Sequence, residues 1–229
     1  MKIWKTVGAL ALLAVIICGC VILGNNAEVA ASTPPEEEQQ QQQQPNEQEV
    51  SSEESVTVSK TYSTGLVFRS NGDGTCAVAG IGSCTAACIL IPPTSPAGDT
   101  VTEILPYAFA EGIVGAIELP STVTTLSAAS FAGCTRLSYV RVANGSTAFS
   151  EHDGVLYTAD GTTLLYCPAG RSAATLQLHP ALRRIAAGAF TECNGLSTVY
   201  FSGTTAEWHG VIIGDDNEAL YAASLKFGA

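Results

Sequence analysis

Apolar residues recur at the same intervals in three stretches of this 229-residue chain. In the middle stretch they are Leu126, Phe131, Cys134, Leu137, Val140 and Val142. A later stretch repeats the spacing with Ile185, Phe190, Cys193, Leu196, Val199 and Phe201. An earlier stretch is one residue shorter and contains Ile104, Phe109, Ile117 and Leu119. A recurrence of about 22 residues indicates a solenoid, because coils of this size bury their apolar faces only by stacking on each other.

The recurring unit resembles the leucine-rich repeats of the BspA type, which read L-P-x-x-V-x-x-I-x-x-x-A-F-x-x-C-x-x-L-x-x-V-x-I. The residues at its Ala-Phe position are Ala108-Phe109, Ser130-Phe131 and Ala189-Phe190. Cys134 and Cys193 stand at its Cys position, whereas Gly112 replaces the first Cys and His179 separates Leu178 from Pro180. The resemblance implies a mainly β fold with short helical turns. This fold is a small leucine-rich-repeat solenoid with an N-terminal hairpin cap and a C-terminal cap.

The formal net charge is −11, but the acids are unevenly distributed. Residues 25–60 contain eight Glu and one Lys, whereas residues 61–229 contain 13 acidic and seven basic residues. Such a surface offers no basic stripe to a phosphate backbone, so nucleic-acid binding is not expected. The 169 residues from 61 onward are rich in apolar residues and long enough to bury a sizeable core.

Residues 1–24 are predicted to be a signal peptide, a lipoprotein signal or a membrane anchor, because two lysines precede an apolar run over residues 7–23. Residues 17–20, Ile-Cys-Gly-Cys, resemble a lipobox with Cys20 as the acylated residue. The apolar run also reaches the lower limit for spanning a bilayer, and the lysines would leave the rest outside. Cleavage at residues 29–31, Val-Ala-Ala, would instead release the chain. All three interpretations place the repeats outside the cytoplasm.

Residues 25–60 are predicted to be a disordered linker rich in Gln, Glu and Pro. The segment contains, in succession, two prolines, three glutamates and a Gln run over residues 39–44. With so few apolar residues, burial of apolar surface does not offset the conformational entropy that this segment would lose on ordering. A flexible chain of this length would hold the repeats roughly 30–36 Å from their anchor.

Residues 61–92 are predicted to form an N-terminal capping module. Short apolar segments over residues 65–70 and 75–80 flank Asn-Gly-Asp-Gly at 71–74, which favours a hairpin turn because these residues accept positive φ. The passage resembles a module that often precedes these repeats in the family. It would cover the apolar end of the first coil.

The repeats are predicted over residues 93–229, with an insertion at about 143–174 and a C-terminal cap at about 203–229. Phe131 and Phe190 are 59 residues apart, which is more than two periods. Within the insertion, residues 155–158 and 163–166 flank Asp160-Gly161 and predict a second hairpin. Asp153 and Asp160 lack the dense oxygen ligands of a calcium loop, and turn chemistry explains them more simply. The insertion and the cap both resemble units of the family.

The sequence contains no G-x-S-x-G, no H-E-x-x-H and no phosphate-binding glycine loop. We therefore assign no catalytic, cofactor-binding or metal-ligating residue and expect no cofactor. A Cys167–His179 pair stays open, because such partners meet only in the fold. A ligand role for Glu207, Trp208 and His209 also stays open, although no other polar residues converge on them.

Six cysteines follow the signal: Cys76, Cys84, Cys88, Cys134, Cys167 and Cys193. Disulfides are possible because the chain is predicted to be exported and the number of these cysteines is even. The resemblance assigns Cys134 and Cys193 to an inward small apolar position, so both are expected to be free thiols. If the insertion occupies a coil, these two lie roughly 10 Å apart, too far for a bridge with each other. Cys76, Cys84 and Cys88 are close enough in sequence for one bridge.

A candidate protein-binding surface follows from alternation along the last strand of each coil. Since Val140 and Val142 are predicted to point inward, Tyr139 and Arg141 point outward. Register then predicts one outward row of Glu118, Arg141, Gln177 and Tyr200, beside a second row of Ala116, Tyr139, Thr175 and Thr198. Tyr and Arg are frequent anchors of interfaces. The alternative is that Glu118 and Arg141 pair with each other across neighbouring strands.

The resemblance implies a non-enzymatic, extracellular protein-binding or adhesion module, tethered to a bacterial cell surface, that holds host or neighbouring-cell proteins. A structural spacer or envelope component without a dedicated ligand is the first alternative. An enzyme with an unrecognised site is the second. Contact with the membrane is expected only through the N-terminal anchor or lipid.

Overall fold

The computed structural model describes residues 60–110 and 112–228, and those from Thr61 onward belong to one unit. The predicted signal or anchor, Cys20 and the predicted linker up to residue 59 lie outside the described residues. Within the described ranges, no helix has the length and apolar character needed to cross a bilayer.

Short strands and tight turns make up this unit. In chain order the strands are β1 (Val67–Ser70), β2 (Thr75–Gly80), β3 (Cys88–Leu90), β4 (Thr100–Ile104), β5 (Ala116–Leu119), β6 (Tyr139–Val142), β7 (Phe149–His152), β8 (Val155–Thr158), β9 (Thr163–Tyr166), β10 (Thr175–Gln177), β11 (Arg184–Ile185), β12 (Thr198–Phe201), β13 (Ile212–Ile213) and β14 (Ser224–Phe227). The helical segments are a 3₁₀ turn at Ala128–Phe131, α1 (Thr205–Trp208) and α2 (Glu218–Ala222). The predicted mainly β fold with short helical turns is confirmed.

Successive coils are joined by parallel strand pairs. Strands β3, β5 and β6 form one sheet, with Ile89, Ile117 and Val140 in register. Strands β10, β12 and β14 form another sheet. The strands at the start of each coil also pair in parallel: β2 with β4, β9 with β11, and β11 with β13. This coil-to-coil pairing is how a solenoid buries faces that no single coil can bury alone.

An antiparallel hairpin precedes the first coil. Strands β1 and β2 pair around residues 71–74, and Gly72 and Gly74 adopt positive φ there. The Asp73 carboxylate accepts hydrogen bonds from the Thr75 N–H at 3.0 Å and the Thr75 hydroxyl at 2.6 Å. The hairpin is therefore present where the Asn-Gly-Asp-Gly sequence predicts it. Its role as a cap stays a prediction.

The insertion contains three antiparallel strands and also supplies a strand to the solenoid. Strands β7, β8 and β9 pair in sequence, and β9 then pairs in parallel with β11. At the β8–β9 turn, the Asp160 carboxylate accepts hydrogen bonds from the hydroxyls of Thr158 and Thr162 and from the Thr162 N–H. These bonds, above all the one from Thr158, lower the pKa of Asp160 to about 2. Turn chemistry therefore accounts for Asp160, as predicted.

Aromatic rings stack across the coils inside the solenoid. Phe109, Phe131 and Phe190 are all fully buried, as the repeat register predicts. Phe109 and Phe131 lie 6.4 Å apart between ring centroids, and Tyr166 of the insertion stacks on Phe131 at 4.5 Å. Phe190 belongs to a second buried cluster. The repeat spacing places the three phenylalanines at equivalent positions, and the structure adds Tyr166 next to Phe131.

Asn217 is a buried polar residue that fixes the last coil. Its side-chain oxygen accepts a hydrogen bond from the Phe190 N–H at 3.0 Å. Its amide nitrogen donates to the carbonyl groups of Ala186, Gly214 and Asp215 at 3.0, 2.8 and 3.2 Å. Because every polar atom of this buried amide has a partner, its desolvation is offset.

The C-terminal tail packs on the second buried cluster. Leu220 is buried in that cluster, and the residues partly buried against it include Trp208, Val211, Ile213 and Leu225. Trp208 meets Phe201 edge to face, with 5.3 Å between ring centroids. These are the residues that the sequence assigns to the C-terminal cap, and the capping role itself stays a prediction.

Candidate functional site

Strands β3, β5 and β6 present what we name the first strand face. Glu118 lies directly opposite Arg141, and Ala116 lies opposite Tyr139. Glu118, Tyr139 and Arg141 are half-buried. The residues between them, including Ile117 and Val140, are fully buried in the core. Alternation therefore separates a core side from an outer side, as the sequence predicts.

Strands β10, β12 and β14 present the second strand face. Gln177 lies opposite Tyr200, and Thr175 lies opposite Thr198. The next strand extends both rows, because Ser224 pairs with Thr198 and Lys226 pairs with Tyr200. Sequence reasoning missed Ser224 and Lys226, although the alternation in Ser-Leu-Lys-Phe matches that in Thr-Val-Tyr-Phe of β12.

The predicted continuous stripe across all coils is wrong. Among the described strands, β6 has β5 as its paired neighbour and β10 has β12, so the two faces belong to different sheets. The structure brings Glu118, Tyr139 and Arg141 together on one face. It brings Gln177, Thr198 and Tyr200 together on the other. The insertion is the cause, because its antiparallel strands enter the chain between β6 and β10.

An ion pair inside the insertion coil holds the edge of the second face; we call it the Asp153–Arg171 junction. The Gln177 backbone N–H donates to Asp153 Oδ2 at 2.9 Å. Arg171 Nη2 donates to the same oxygen at 3.3 Å and to the Thr175 carbonyl at 2.8 Å. Nη1 donates to the Asp153 carbonyl at 3.0 Å, and Nε to the Ala173 carbonyl at 3.1 Å. The side chain of Arg171 is only 6% exposed, against 41% for Asp153.

The junction corrects the interpretation of Asp153 as a turn residue alone. Asp153 does occupy the β7–β8 turn with a positive φ of 50°. Its carboxylate, however, satisfies a backbone donor that would otherwise stand unpaired at the edge of β10. A guanidinium with several fixed donors suits this position because it bonds carboxylate and carbonyl oxygens at once.

Two histidines and a tyrosine from the insertion coil form an aromatic cluster. The His179 ring lies 5.1 Å from His152 and 5.6 Å from Tyr157 between centroids. The Tyr157 hydroxyl accepts a hydrogen bond from the His179 N–H, and His179 Nδ1 accepts one from the Ala181 N–H. Burial, and then the neighbouring His152, lower the pKa of His179, whereas Asp160 acts in the opposite direction.

A cleft of about 280 Å³ opens where the insertion coil lacks an Ala-Phe turn. Phe131 and Tyr166 line it, together with the turns around Ala129 and Gly188. Tyr107, Glu192 and Asp216 also line the cleft. No sequence motif predicts this cleft, because it results from a missing turn.

The six cysteines of the described chain are free thiols. Cys167 is fully buried, and its thiol contacts Cys193, whereas the ring contacts of His179 are with His152 and Tyr157. The structure therefore gives no support to a Cys167–His179 pair. Trp208 packs against Phe201, and Glu207 bonds the N–H and hydroxyl of Thr204 at the start of α1. Within the described ranges, no three His, Cys, Asp or Glu side chains converge as metal ligands.

Sequence comparison finds a family model that matches part of the chain. The BspA type leucine rich repeat region matches in six copies, with residues 94–153 matched. Residues 94–153 are therefore similar to BspA-type leucine-rich repeats. The matched residues include β4, β5, β6 and the first strand face at Glu118, Tyr139 and Arg141. BspA-type repeats are a protein-interaction scaffold that is often found in surface and adhesion proteins. Comparison with curated proteins gave no match.

Several solved bacterial structures resemble the chain. A leucine-rich repeat protein of Eubacterium ventriosum is 22% identical over 44% of this chain and 30% of that one, with a TM-score of 0.38. The pneumococcal vaccine antigen PcpA is 21% identical over 51% and 32%, with a TM-score of 0.37. A leucine rich cell surface protein of Faecalibacterium prausnitzii is 23% identical over 50% and 35%, with a TM-score of 0.36. The chain spans about a third of the length of these three proteins.

Proposed function

We propose that this protein is a non-enzymatic binding module that holds a protein partner outside the cell, tethered to the bacterial surface by its N-terminal segment. The observation that carries the proposal is the pair of strand faces. Each face sets aromatic, amide or charged side chains on strands whose alternate residues are fully buried. Such side chains lose little further freedom on binding, which reduces the entropic cost of association.

The composition of the faces favours a protein as the partner. Tyr139 and Arg141 lie side by side on the first face, and Tyr200 lies beside Lys226 on the second. Tyrosine and arginine are enriched among the residues that dominate binding energy in protein interfaces. Glu118 opposite Arg141 adds a carboxylate, so the first face offers both charge signs to a partner.

The small area of each strand face indicates that one partner covers both faces. Three strands about 4.8 Å apart span only about 10 Å, whereas a standard interface takes about 800 Å² from each partner. Neither face alone supplies that area. A partner of ordinary size would therefore also cover the Asp153–Arg171 junction, where Asp153 is the more exposed residue.

The spacer alternative shares the fold and differs in the role of these faces. For a spacer, the half-buried outer side chains would serve only to cover the sheets and pair with each other. The enzyme alternative has less support, because Cys167, the nucleophile considered from the sequence, is fully buried.

Site-specific photocrosslinking of the full chain tests the proposal. A photoreactive phenylalanine analogue replaces Tyr200 on the second face or, as the control, Tyr221, which is 68% exposed on α2. Both variants are illuminated with purified extracellular matrix proteins. We expect crosslinks to a matrix protein from position 200 and none from 221. Equal crosslinking at both positions, or none at 200, would favour the spacer.

A further inference from the structure

Two thiols from different coils come unusually close in the second buried cluster. The sulfur atoms of Cys167 and Cys193 are 3.0 Å apart, and both residues are fully buried. Even carbon atoms that merely pack together prefer about 3.5–4.0 Å, and sulfur is larger than carbon. A covalent S–S bond is about 2.05 Å long. The pair is therefore tighter than an ordinary packing contact and lies about 1 Å from bonding distance.

The backbone explains why these two residues meet. The Cys167 N–H donates to the Ala189 carbonyl at 2.7 Å, and Leu164 pairs with Ile185 in the same two coils. Neighbouring coils are about 4.8 Å apart, which lies within the range that a disulfide spans. Cys134 occupies the same repeat position as Cys193, but its thiol donates to the Phe109 carbonyl at 3.4 Å. The thiol pair is thus specific to the insertion coil.

We propose that Cys167 and Cys193 form a disulfide between coils when the chain folds in the presence of a disulfide oxidant. The Cys167 thiolate attacks one sulfur of the oxidant, which gives a mixed disulfide and releases one thiolate. The Cys193 thiolate then attacks the Cys167 sulfur and expels the second thiolate. The two cysteine protons pass to the released thiolates, so the oxidant gains two electrons and becomes two thiols. This assignment revises the sequence-based expectation that Cys193 stays a thiol.

Both thiols are buried in the folded chain and lie in contact with each other. Because neither residue is exposed, thiol–disulfide exchange with the oxidant takes place before the core closes. The finished disulfide is then shielded from reductant.

The bond would act on the binding faces through Arg171. Arg171 follows Cys167 by four residues and holds Asp153 and the edge of β10. Fixing Cys167 to the next coil therefore restrains the segment that separates the two faces. The proposal goes beyond the proposed function, since a structural disulfide would form whether or not the faces bind a partner.

Tryptic mapping reads this bond directly. Cleavage after Arg141, Arg171, Arg184 and Lys226 releases Cys167 in the peptide 142–171 and Cys193 in the peptide 185–226, each with one cysteine. The other four cysteines beyond the signal all fall within the peptide 70–136. The full chain is refolded with oxidised and reduced glutathione, alkylated in denaturant and digested without reduction. We expect 142–171 joined to 185–226. Recovery of both as separate alkylated peptides, or either joined to 70–136, would overturn the proposal.

Thermal unfolding supplies a second readout. We expect the oxidised protein to lose about 5–15 °C in Tm when it is reduced in denaturant and refolded with reductant. A Cys193→Ala variant should show no such redox difference, whereas the matched control Cys134→Ala should keep it. A difference in Tm between the oxidised and reduced forms that persists in Cys193→Ala would contradict the assignment. The peptide map uses the unmodified chain, so it tests the disulfide even if a variant fails to fold.

Discussion

The backbone N–H of Gln177 donates a hydrogen bond to the carboxylate of Asp153 at 2.9 Å, across 24 residues of chain. The same carboxylate oxygen accepts from Arg171, whose side chain is almost fully buried. One acidic side chain therefore neutralises a buried cation and satisfies the edge of the second strand face.

The first prediction concerns this junction. Asp153→Ala leaves the Arg171 guanidinium buried without its counter-ion and the Gln177 N–H without its acceptor, so we expect a loss of about 2–4 kcal/mol in the free energy of unfolding. Asp153→Asn, which keeps an acceptor oxygen, should lose less. Denaturant unfolding measures both losses. Hydrogen exchange at the Gln177 amide should accelerate in Asp153→Ala, and unchanged protection there would contradict the assigned bond.

The second prediction concerns the aromatic stack. Phe131 is fully buried between Phe109 and Tyr166, so Phe131→Ala opens a cavity in the first buried cluster. We expect a loss of about 3–5 kcal/mol, a large share of the 5–15 kcal/mol typical of a domain. Phe227→Ala is the control, because Phe227 is 39% exposed on the last strand. If Phe131→Ala melted within a few degrees of the parent, the repeat register would be wrong.

The third prediction concerns Asn217. Asn217→Ala removes the acceptor of the Phe190 N–H and the donor to three carbonyl groups, all near the buried end of the last coil. We expect a loss of about 2–4 kcal/mol in chemical denaturation, because several backbone groups lose their partner. The exposed Asn194 offers a matched control, and Asn194→Ala should change stability by less than about 0.5 kcal/mol. Equal effects of the two variants would argue against a structural role for Asn217.

The fourth prediction is a pH dependence. Because the fold lowers the pKa of His179 below its ordinary value of 6.5, the folded state favours the neutral ring. This contribution is fully present above pH 6.5 and is lost as the pH falls through 6.5 towards the lower folded pKa. We expect stability to fall over that window and to fall less in His179→Gln. The exposed His209 provides the control substitution, and a His179→Gln variant with the parental pH profile would contradict the prediction.

The repeat positions show what the sequence could predict. Fixed intervals from Leu126 and Ile185 place Phe131, Cys193 and Val199 in the core, and all three are buried. The two glycine-containing turns at Asn71-Gly72 and Asp160-Gly161 likewise predict their hairpins, because local turn chemistry decides both. Periodicity and turn chemistry are local properties, so one sequence suffices to read them.

The separation of the two faces could not be read in this way. Counting repeats across the insertion assumes that the strand after it pairs with the strand before it, and this assumption placed Arg141 next to Gln177. The actual neighbour of β10 on that side is the side chain of Asp153, which looks like an ordinary turn residue in the sequence. The contact between Cys167 and Cys193 could not be predicted from the sequence either, since it depends on how the insertion coil shortens its turn.

The most direct test of the binding proposal is the affinity of one matrix protein, identified by the crosslink from position 200, for variants of each face. The first-face variant is Tyr139→Ala with Arg141→Ala, the second-face variant is Gln177→Ala with Tyr200→Ala, and Tyr221→Ala is the control. Circular dichroism melting checks that each variant keeps the fold. Because one partner is expected to cover both faces, each double variant should raise Kd at least tenfold, about 1.4 kcal/mol or more, while the control keeps the parental Kd. Unchanged Kd in both double variants would contradict the account and leave the solenoid as a spacer.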